Sequence, residues 1–283
     1  MPISVNNSYS LTGQRNINTA LNRLGGNLAK LSSGKGINQA SDNAAGLAIA
    51  EQLAADIRSA AQAERNVYDS SALARVAEGA TSEIGDLLAR GRELSIQASN
   101  GTLNDKQRAT LQKEVDSIKQ EIDRISGVTE FNGQKLLNGD LAPGAATQVA
   151  TQAGIQDTAN DRLSLNVIEA TDTATLGVDT VDISTQAGAN NALASFDAAI
   201  QKVAQTRGEI GGLQNRLDSA ARNLGVFKEG LSAAENQIRG LDYAQETSAF
   251  GRNQVQGQAA TSVLSQANRA QSSIIGSLLN IKG

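Results

Sequence analysis

Hydrophobic residues recur most regularly between Val203 and Leu241. Every seventh position from Ile210 gives Ile210, Leu217, Leu224, Leu231 and Ile238, and the companion series gives Leu213, Ala220, Phe227, Ala234 and Leu241. Two such rows are the a and d positions of a coiled-coil seam. No proline interrupts the stretch. At 1.5 Å per residue it predicts a rod of roughly 60 Å, longer than a compact domain of this size can bury, so partners must lie along it.

The same periodicity appears elsewhere. Leu73, Ala80, Leu87 and Leu94 lie seven apart, and Leu111, Val115, Ile118, Ile122 and Ile125 alternate by four and three. Between these helices, Ser99 to Asp105 is a turn, with Asn104 or Asp105 as the cap. A further helix is predicted from about Asp42 to Glu78, free to run on into the first of them. The two ends carry thinner stripes: Ile17, Leu21, Leu24, Leu28 and Leu31 at one, and Ala260, Leu264, Ala267, Ala270, Ile274, Leu278 and Ile281 at the other. Neither stripe can hold an isolated helix in water. The ends are therefore expected to pair with each other and with neighbouring copies, and to stay poorly ordered until they do.

From Asp140 to Gly188 the pattern breaks. Pro143, the only internal proline, opens a segment dense in Thr, Ala and Gly, with short alternating runs at Thr147 to Ala150 and Leu163 to Ile168. This predicts a small β-hairpin with loops, because fewer than about 60 residues do not readily fold alone. Asn132-Gly133 and Asn138-Gly139 mark turns just before it. The expected fold is mainly α, a long antiparallel helical bundle or coiled coil with a small β-hairpin region and paired terminal helices. Its expected segments are a terminal core helix at 1–41, the N-terminal part of the bundle at 42–139, a short variable segment at 140–188, a bundle helix at 189–246 and a second terminal core helix at 247–283.

Composition narrows the chemistry. With three Tyr, four Phe and no Trp among 283 residues, aromatic side chains cannot supply a large globular core. There is no Cys and no His, so disulfides, thiolate sites, the commonest acid/base catalyst and the commonest transition-metal ligands are excluded. All 29 acids lie between Asp42 and Glu246. The first end carries only Arg15, Arg23, Lys30 and Lys35 as charged side chains, and the last only Arg252, Arg269 and Lys282. Contact between the two ends cannot rest on salt bridges. The basic residues are too sparse, and too poor in aromatic company, to suggest nucleic-acid binding. No apolar run reaches transmembrane length, and no basic n-region precedes an apolar h-region, so neither membrane insertion nor a cleaved signal peptide is expected. Carboxylate pairs such as Glu51/Asp56, Glu83/Asp86 and Asp116/Glu121 read as solubility and i,i+4 partners. No enzyme, cofactor or metal site is expected.

The stretch from Leu31 to Leu53 contains Leu-Ser-Ser-Gly at 31–34, Ile-Asn at 37–38 and Asp-Asn-Ala-Ala-Gly-Leu-Ala-Ile at 42–49, with Ser41 or Asp42 able to cap the second helix. This closely resembles the N-terminal signature of bacterial flagellins, with Lys35-Gly36 where many members have Leu-Arg. The resemblance continues through Glu78-Gly79-Ala80, Arg92-Glu93-Leu94, Glu121 to Ser126, Phe131-Asn132-Gly133 and Gln214 to Leu217. It implies a secreted subunit of a hollow helical filament, carried by flagellar export without a cleaved signal, whose ends fold on polymerisation. The large variable outer domains are missing from the short segment after Asp140. The resemblance further implies a homopolymer, an export chaperone for the last helix and cap and junction proteins as partners. Leu21, Leu24, Leu28, Leu31, Leu264, Ile274 and Leu278 would pack the filament core. It also implies that Arg90, Leu94 and Glu114 mark a surface buried between subunits and gripped by the innate Toll-like receptor for flagellin. The plain alternative there is an ordinary solvated helix face. Residues 147–185, rich in Thr and Ser, could accept O-linked sugars or form a plain exposed loop. Competing readings are a hook-filament junction protein and, from a different class, a coiled-coil signalling protein; the latter needs a membrane anchor or receptor-type hairpin tip that the sequence lacks.

Overall fold

The computed structural model describes residues 8–280, with side-chain surroundings from Leu11 to Ala270 and at Ser272 and Ser273. Among the described residues, six α-helices and four short strands follow one another: α1 (Ser8–Ser33), α2 (Ala40–Ser99), α3 (Asp105–Val128), β1 (Glu130–Phe131), β2 (Gln134–Lys135), β3 (Ala150–Gln152), β4 (Arg162–Ser164), α4 (Thr173–Leu176), α5 (Gln186–Arg239) and α6 (Tyr243–Asn280). They form two units. One joins the residues up to 55 to those from 231 onward, and the other spans Asp56–Gly230. The division falls inside α2 and α5.

In the Asp56–Gly230 unit, α2 and α5 run antiparallel. Arg92 Nε donates to Asp197 Oδ1 at 2.6 Å, Gln214 Nε2 to Glu78 Oε2 at 2.7 Å, and Lys228 pairs with Glu64. The buried row of α5 is Ala189, Ala192, Phe196, Ala199, Val203, Thr206, Ile210, Leu213, Leu217, Ala221 and Leu224, spaced by threes and fours. The predicted rod is therefore present and longer, since 54 residues span about 80 Å. Its seam starts at Ala189, before Val203, and loses cover sooner: Phe227 is 43% exposed and Leu241 follows the end of the helix. Thr206, the polar member of the row, returns its hydroxyl to Lys202 O at 3.1 Å and so leaves no unpaired group in the seam.

Gly91 lies against the fully buried Phe196, where an added Cβ would stand 2.5 Å from the ring. A large aromatic fits in this thin seam because the facing helix has no side chain there.

Asn104 caps α3, accepting from Gln107 N at 3.0 Å while Gln107 Oε1 accepts from Asn104 N at 2.9 Å. This decides between the two predicted caps. The buried Arg108 closes the turn from behind, donating to Ala98 O at 2.8 Å and Asn100 O at 3.1 Å, and so satisfies carbonyls at the end of α2. At the start of α2, Asn43 breaks helical geometry (φ −165, ψ 100) and its Oδ1 accepts from Gly46 N at 2.9 Å. Asn43, and not Ser41 or Asp42, caps the long helix; Asp42 instead turns back to Asn38 N and Gln39 N.

The expected hairpin is β3 with β4, antiparallel with Thr151 opposite Leu163, shorter and slightly displaced from the predicted runs. A second hairpin, β1 with β2, turns on Asn132 (φ 51) and Gly133 (φ 80), both left-handed as a two-residue loop requires. After β4 the chain is fastened along α3. Thr173 N and Oγ1 donate to Asp123, Lys119 Nζ donates to Asp179 O and Val181 O, and Ile183 N donates to Gln112 Oε1. Leu165, Ile168, Leu176, Val178, Val181 and Ile183 thereby join the same core as the helices, as expected of a segment too short for its own.

Gly91→Ala should destabilise this unit by about 1–3 kcal/mol, the cost of overpacking beside a ring that cannot move away. Gly208→Ala, in an exposed helix interior with nothing within 4 Å, should stabilise it by about 0.5–1 kcal/mol. Urea unfolding of the two variants beside the parent checks both signs.

Candidate functional site

Two surfaces qualify as sites: the α1/α6 pair and the Arg90 patch. In the pair, the half-buried row of α1 is Gly13, Ile17, Ala20, Leu24, Asn27 and Leu31, and that of α6 includes Glu246, Phe250, Asn253, Gly257, Ala260 and Leu264. Asn27 sits toward the turn end of the pair, accepting from Asn253 Nδ2 at 2.7 Å and donating to Glu246 Oε1 at 2.5 Å. Amides join the ends where, among the described residues, no ion pair does.

Of the predicted packing leucines, Leu24, Leu31 and Leu264 lie in this contact. Leu21 and Leu28 do not. They are 55% and 58% exposed, as are Val255 and Val263 on α6 to a similar degree. Gly13 takes a close position, where an added Cβ would stand 2.9 Å from Leu264, and the two leucines are turned to the flank. Ile274 and Leu278 fall on α6, and their side chains lie outside the described residues.

The pair hangs from two turns that meet. Gly34 ends α1 in the left-handed region (φ 69), its N donating to Lys30 O at 2.9 Å, and an added Cβ would come within 2.7 Å of Tyr243 Oη. Gly36 N donates to Arg239 O at 2.8 Å, and Lys35 bridges Gly240 in antiparallel fashion. Arg239 Nε donates to Ile37 O at 2.8 Å and Nη1 to Glu51 Oε1 at 2.9 Å, its side chain 13% exposed. Asn38 Nδ2 reaches Ser33 Oγ at 2.6 Å, and the amides of Asn38 and then Gln39 hold the Asp42 carboxyl below the ordinary Asp value. The sequence pointed to the motif from Leu31 onward and to a cap at Ser41 or Asp42 but not to Arg239, which is two hundred residues away and lies in no motif.

In the Arg90 patch, α2 meets α3. Arg90 Nε and Nη2 both reach Glu114 Oε1, at 3.0 and 2.8 Å, and Nη1 reaches Glu93 Oε2 at 3.0 Å. Glu114 and then Glu93 raise the guanidinium above its ordinary value. Two of the three predicted residues are thus brought together. Leu94 is not with them: at 1% exposure it belongs to the core. Its place in the Ile84, Leu88, Leu94, Ala98 row turns it inward while Arg90 and Glu93 face water. Ile96, 48% exposed, is the apolar residue left on the outside of this last stretch of α2.

Elsewhere, an open groove of about 560 Å³ is lined by Ile155, Leu163, Ala220, Leu224 and Phe227. Among the described residues no cluster of carboxylates is placed to hold a metal, and no helix is long and apolar enough to cross a membrane.

Comparison with known proteins bears on both surfaces. A family model described as the bacterial flagellin N-terminal helical region matches residues 3–142, and one described as the bacterial flagellin C-terminal helical region matches 193–279. The chain is 33% identical to the flagellar filament 30.7 kDa core protein of Treponema maltophilum, over 95% of this chain and 97% of that one. It is 37% identical to a flagellin of Bacillus subtilis, over 88% and 90%. In structure it resembles a chain from Vibrio parahaemolyticus assigned to the flagellar hook-associated proteins, with a TM-score of 0.56, 16% identity and coverage of 70% and 100%. That last likeness speaks for the fold alone.

The Asp42 carboxylate gives the turn a pH signature. Its folded value lies below that of a free Asp, about 3.9, so its contribution is fully present above that value and is lost as pH falls through the lowered one. Protection of the Asn38 and Gln39 amides, taken relative to their intrinsic exchange rate at each pH, should fall in that acid window. Asp42→Asn should remove the step, and an unchanged acid profile in that variant would refute the assignment.

Proposed function

The chain belongs to the bacterial flagellins and is a structural subunit of the flagellar filament, and we propose that it enters the filament through its acid-free terminal helices. The observation that carries this is the exposed apolar flank of the α1/α6 pair. Leu21 and Leu28 remain uncovered beside the contact row of α1, and Val255 and Val263 are uncovered on α6, in two helices that carry no carboxylate beyond Glu246. Such a flank is stable in water only when covered, and a heterologous contact that does not close is what an open helical polymer needs. The ends then fold on addition, which suits a subunit exported as a loosened chain with no disulfides and few bulky aromatics.

Further parts of the reading follow from family membership. Export runs through the flagellar apparatus, a chaperone holds the last helix beforehand, and cap and junction proteins flank the growing polymer. The Arg90–Glu114 patch is a second contact between copies and the face offered to an innate immune receptor, with Leu94 acting behind it as core support and not as a contact. The hook-filament junction reading is less favoured: both matching family models describe flagellin, and relatives at 33% and 37% identity are described as a filament core protein and a flagellin.

Purified chain should form pelletable filaments on adding precipitating salt, while a chain lacking 1–41 and 247–283 should stay soluble. Leu21→Asn/Leu28→Asn should raise the critical concentration by about tenfold or more, since burying each leucine is worth roughly 1.5–3 kcal/mol. Filaments with an unchanged critical concentration would remove the flank from the interface.

A further inference from the structure

We propose that Arg239 is the positioning residue of the terminal pair, locking two turns into a clasp that fixes the register of α1 against α6 and from which their pairing propagates. The α1 and α6 rows do not define a register strongly by themselves. Their half-buried rows include the small residues Gly13, Ala20, Gly257 and Ala260, and rows of small residues repeating by threes and fours fit again after a shift of seven. Asn27 supplies one specific contact near the turn end. The clasp supplies the rest at one end.

The geometry is that of a two-armed lock. Arg239 is the last residue of α5, and its own carbonyl accepts from Gly36 N. Its guanidinium reaches in two directions, Nε to the carbonyl of Ile37 and Nη1 to Glu51 on α2. One side chain thus ties the turn after α1 to the turn before α6 and fastens both to α2. Guanidinium suits this because its donors are fixed in a planar fork, where an ammonium offers one point. Only Gly34 and Lys35 separate the end of α1 from Gly36, and only Gly240 to Asp242 separate Arg239 from α6. With the clasp closed, no slack remains for a slip of one heptad.

The clasp also lowers the cost of starting the pair. A lone helix of this composition is marginal, and bringing the two termini together first would close a loop of nearly the whole chain. From the clasp, the Asn27–Glu246 contact closes only a short loop on each side. Pairing therefore runs from Leu31 and Glu246 outward to Gly13 and Leu264.

The chain has no cysteine, so register can be read by disulfides. A Cβ on Gly13 would lie 3.9 Å from Leu264 Cβ, within disulfide reach. Gly13→Cys/Leu264→Cys reports the native register; Gly13→Cys/Gly257→Cys and Ala20→Cys/Leu264→Cys report slips of seven in either direction. Each pair is made with Arg239 retained, with Arg239→Ala and with Arg239→Lys, and oxidised in precipitating salt. Pellet and supernatant are then run on a denaturing, non-reducing gel. With Arg239 the 13–264 bond should dominate. With Arg239→Ala its rate should fall about tenfold or more, as loss of two charge-assisted bonds implies, and the slipped pairs should appear. Arg239→Lys should fall between.

The proposal is overturned if Arg239→Ala keeps the native rate and exclusivity, if the lysine form is as register-true as the arginine, or if the 13–264 bond is absent from both fractions with Arg239 in place. Should Arg239→Ala lose helix throughout, by far-ultraviolet circular dichroism, the lysine form decides. The bond forms within one chain, so an absence of pelleted filaments counts against the filament reading while the crosslink pattern still decides this one.

Discussion

Everything in the Asp56–Gly230 unit depends on one narrow strip of contact, the row from Ala189 to Leu224 on α5 laid against α2. A chain with so few aromatics cannot bury much area at any one point, so it buries a little at every turn of a long helix. The strip must stay continuous, which explains the treatment of its two exceptions. Thr206 internalises its hydroxyl within the helix, and Phe196 is admitted only where Gly91 faces it. The rest of the unit attaches to this strip. Arg108 holds the α2–α3 turn closed, and Gln112, Lys119 and Asp123 capture the backbone of residues 173–183 along α3.

How far the sequence exposed this architecture depended on residue type. Leucine and isoleucine made the Ile210–Leu224 part of the seam legible. The part from Ala189 to Ala199 was missed because alanine occupies both its buried and many of its exposed positions, and periodicity needs contrast. At the other end the pattern ran on through Phe227 where burial does not, since a heptad reports what a helix could bury and not what lies opposite. The caps illustrate a local ambiguity of the same kind. Asn104 and Asp105 were both acceptable in sequence, and Ser41, Asp42 and Asn43 all can cap; only backbone geometry chose Asn104 and Asn43.

The candidate sites were legible to different depths for the same reason. Arg90 and Glu114 are charged and could be placed on a surface, and they meet across α2 and α3. Leu94 was grouped with them although it also belonged to the predicted Leu73–Leu94 row, and its burial resolves the conflict in favour of the row. The patch is thus a polar surface held in place by the core directly beneath it. Arg239 was invisible because its partners, Ile37 O and Glu51, are distant in sequence and one is a backbone atom with no residue signature.

The distribution of charge links these observations to assembly. Acids and bases in the middle of the chain pair across helices, as Arg92 does with Asp197 and Arg90 with Glu114. The ends, having no acids beyond Glu246, meet through Asn27 and Asn253 and through small apolar residues. Amide and aliphatic contacts specify partner and register weakly, which leaves the flank bearing Leu21 and Leu28 free to accept a further copy of the same segment without a charge pattern that must match. Weak specification within the pair then has to be offset by strong specification beside it. That is where the chain concentrates its left-handed Gly34, its crossed backbone bonds at Gly36 and Gly240, and the two-armed Arg239. A permissive polymerising surface and a rigid turn complex are two consequences of removing the carboxylates from both ends.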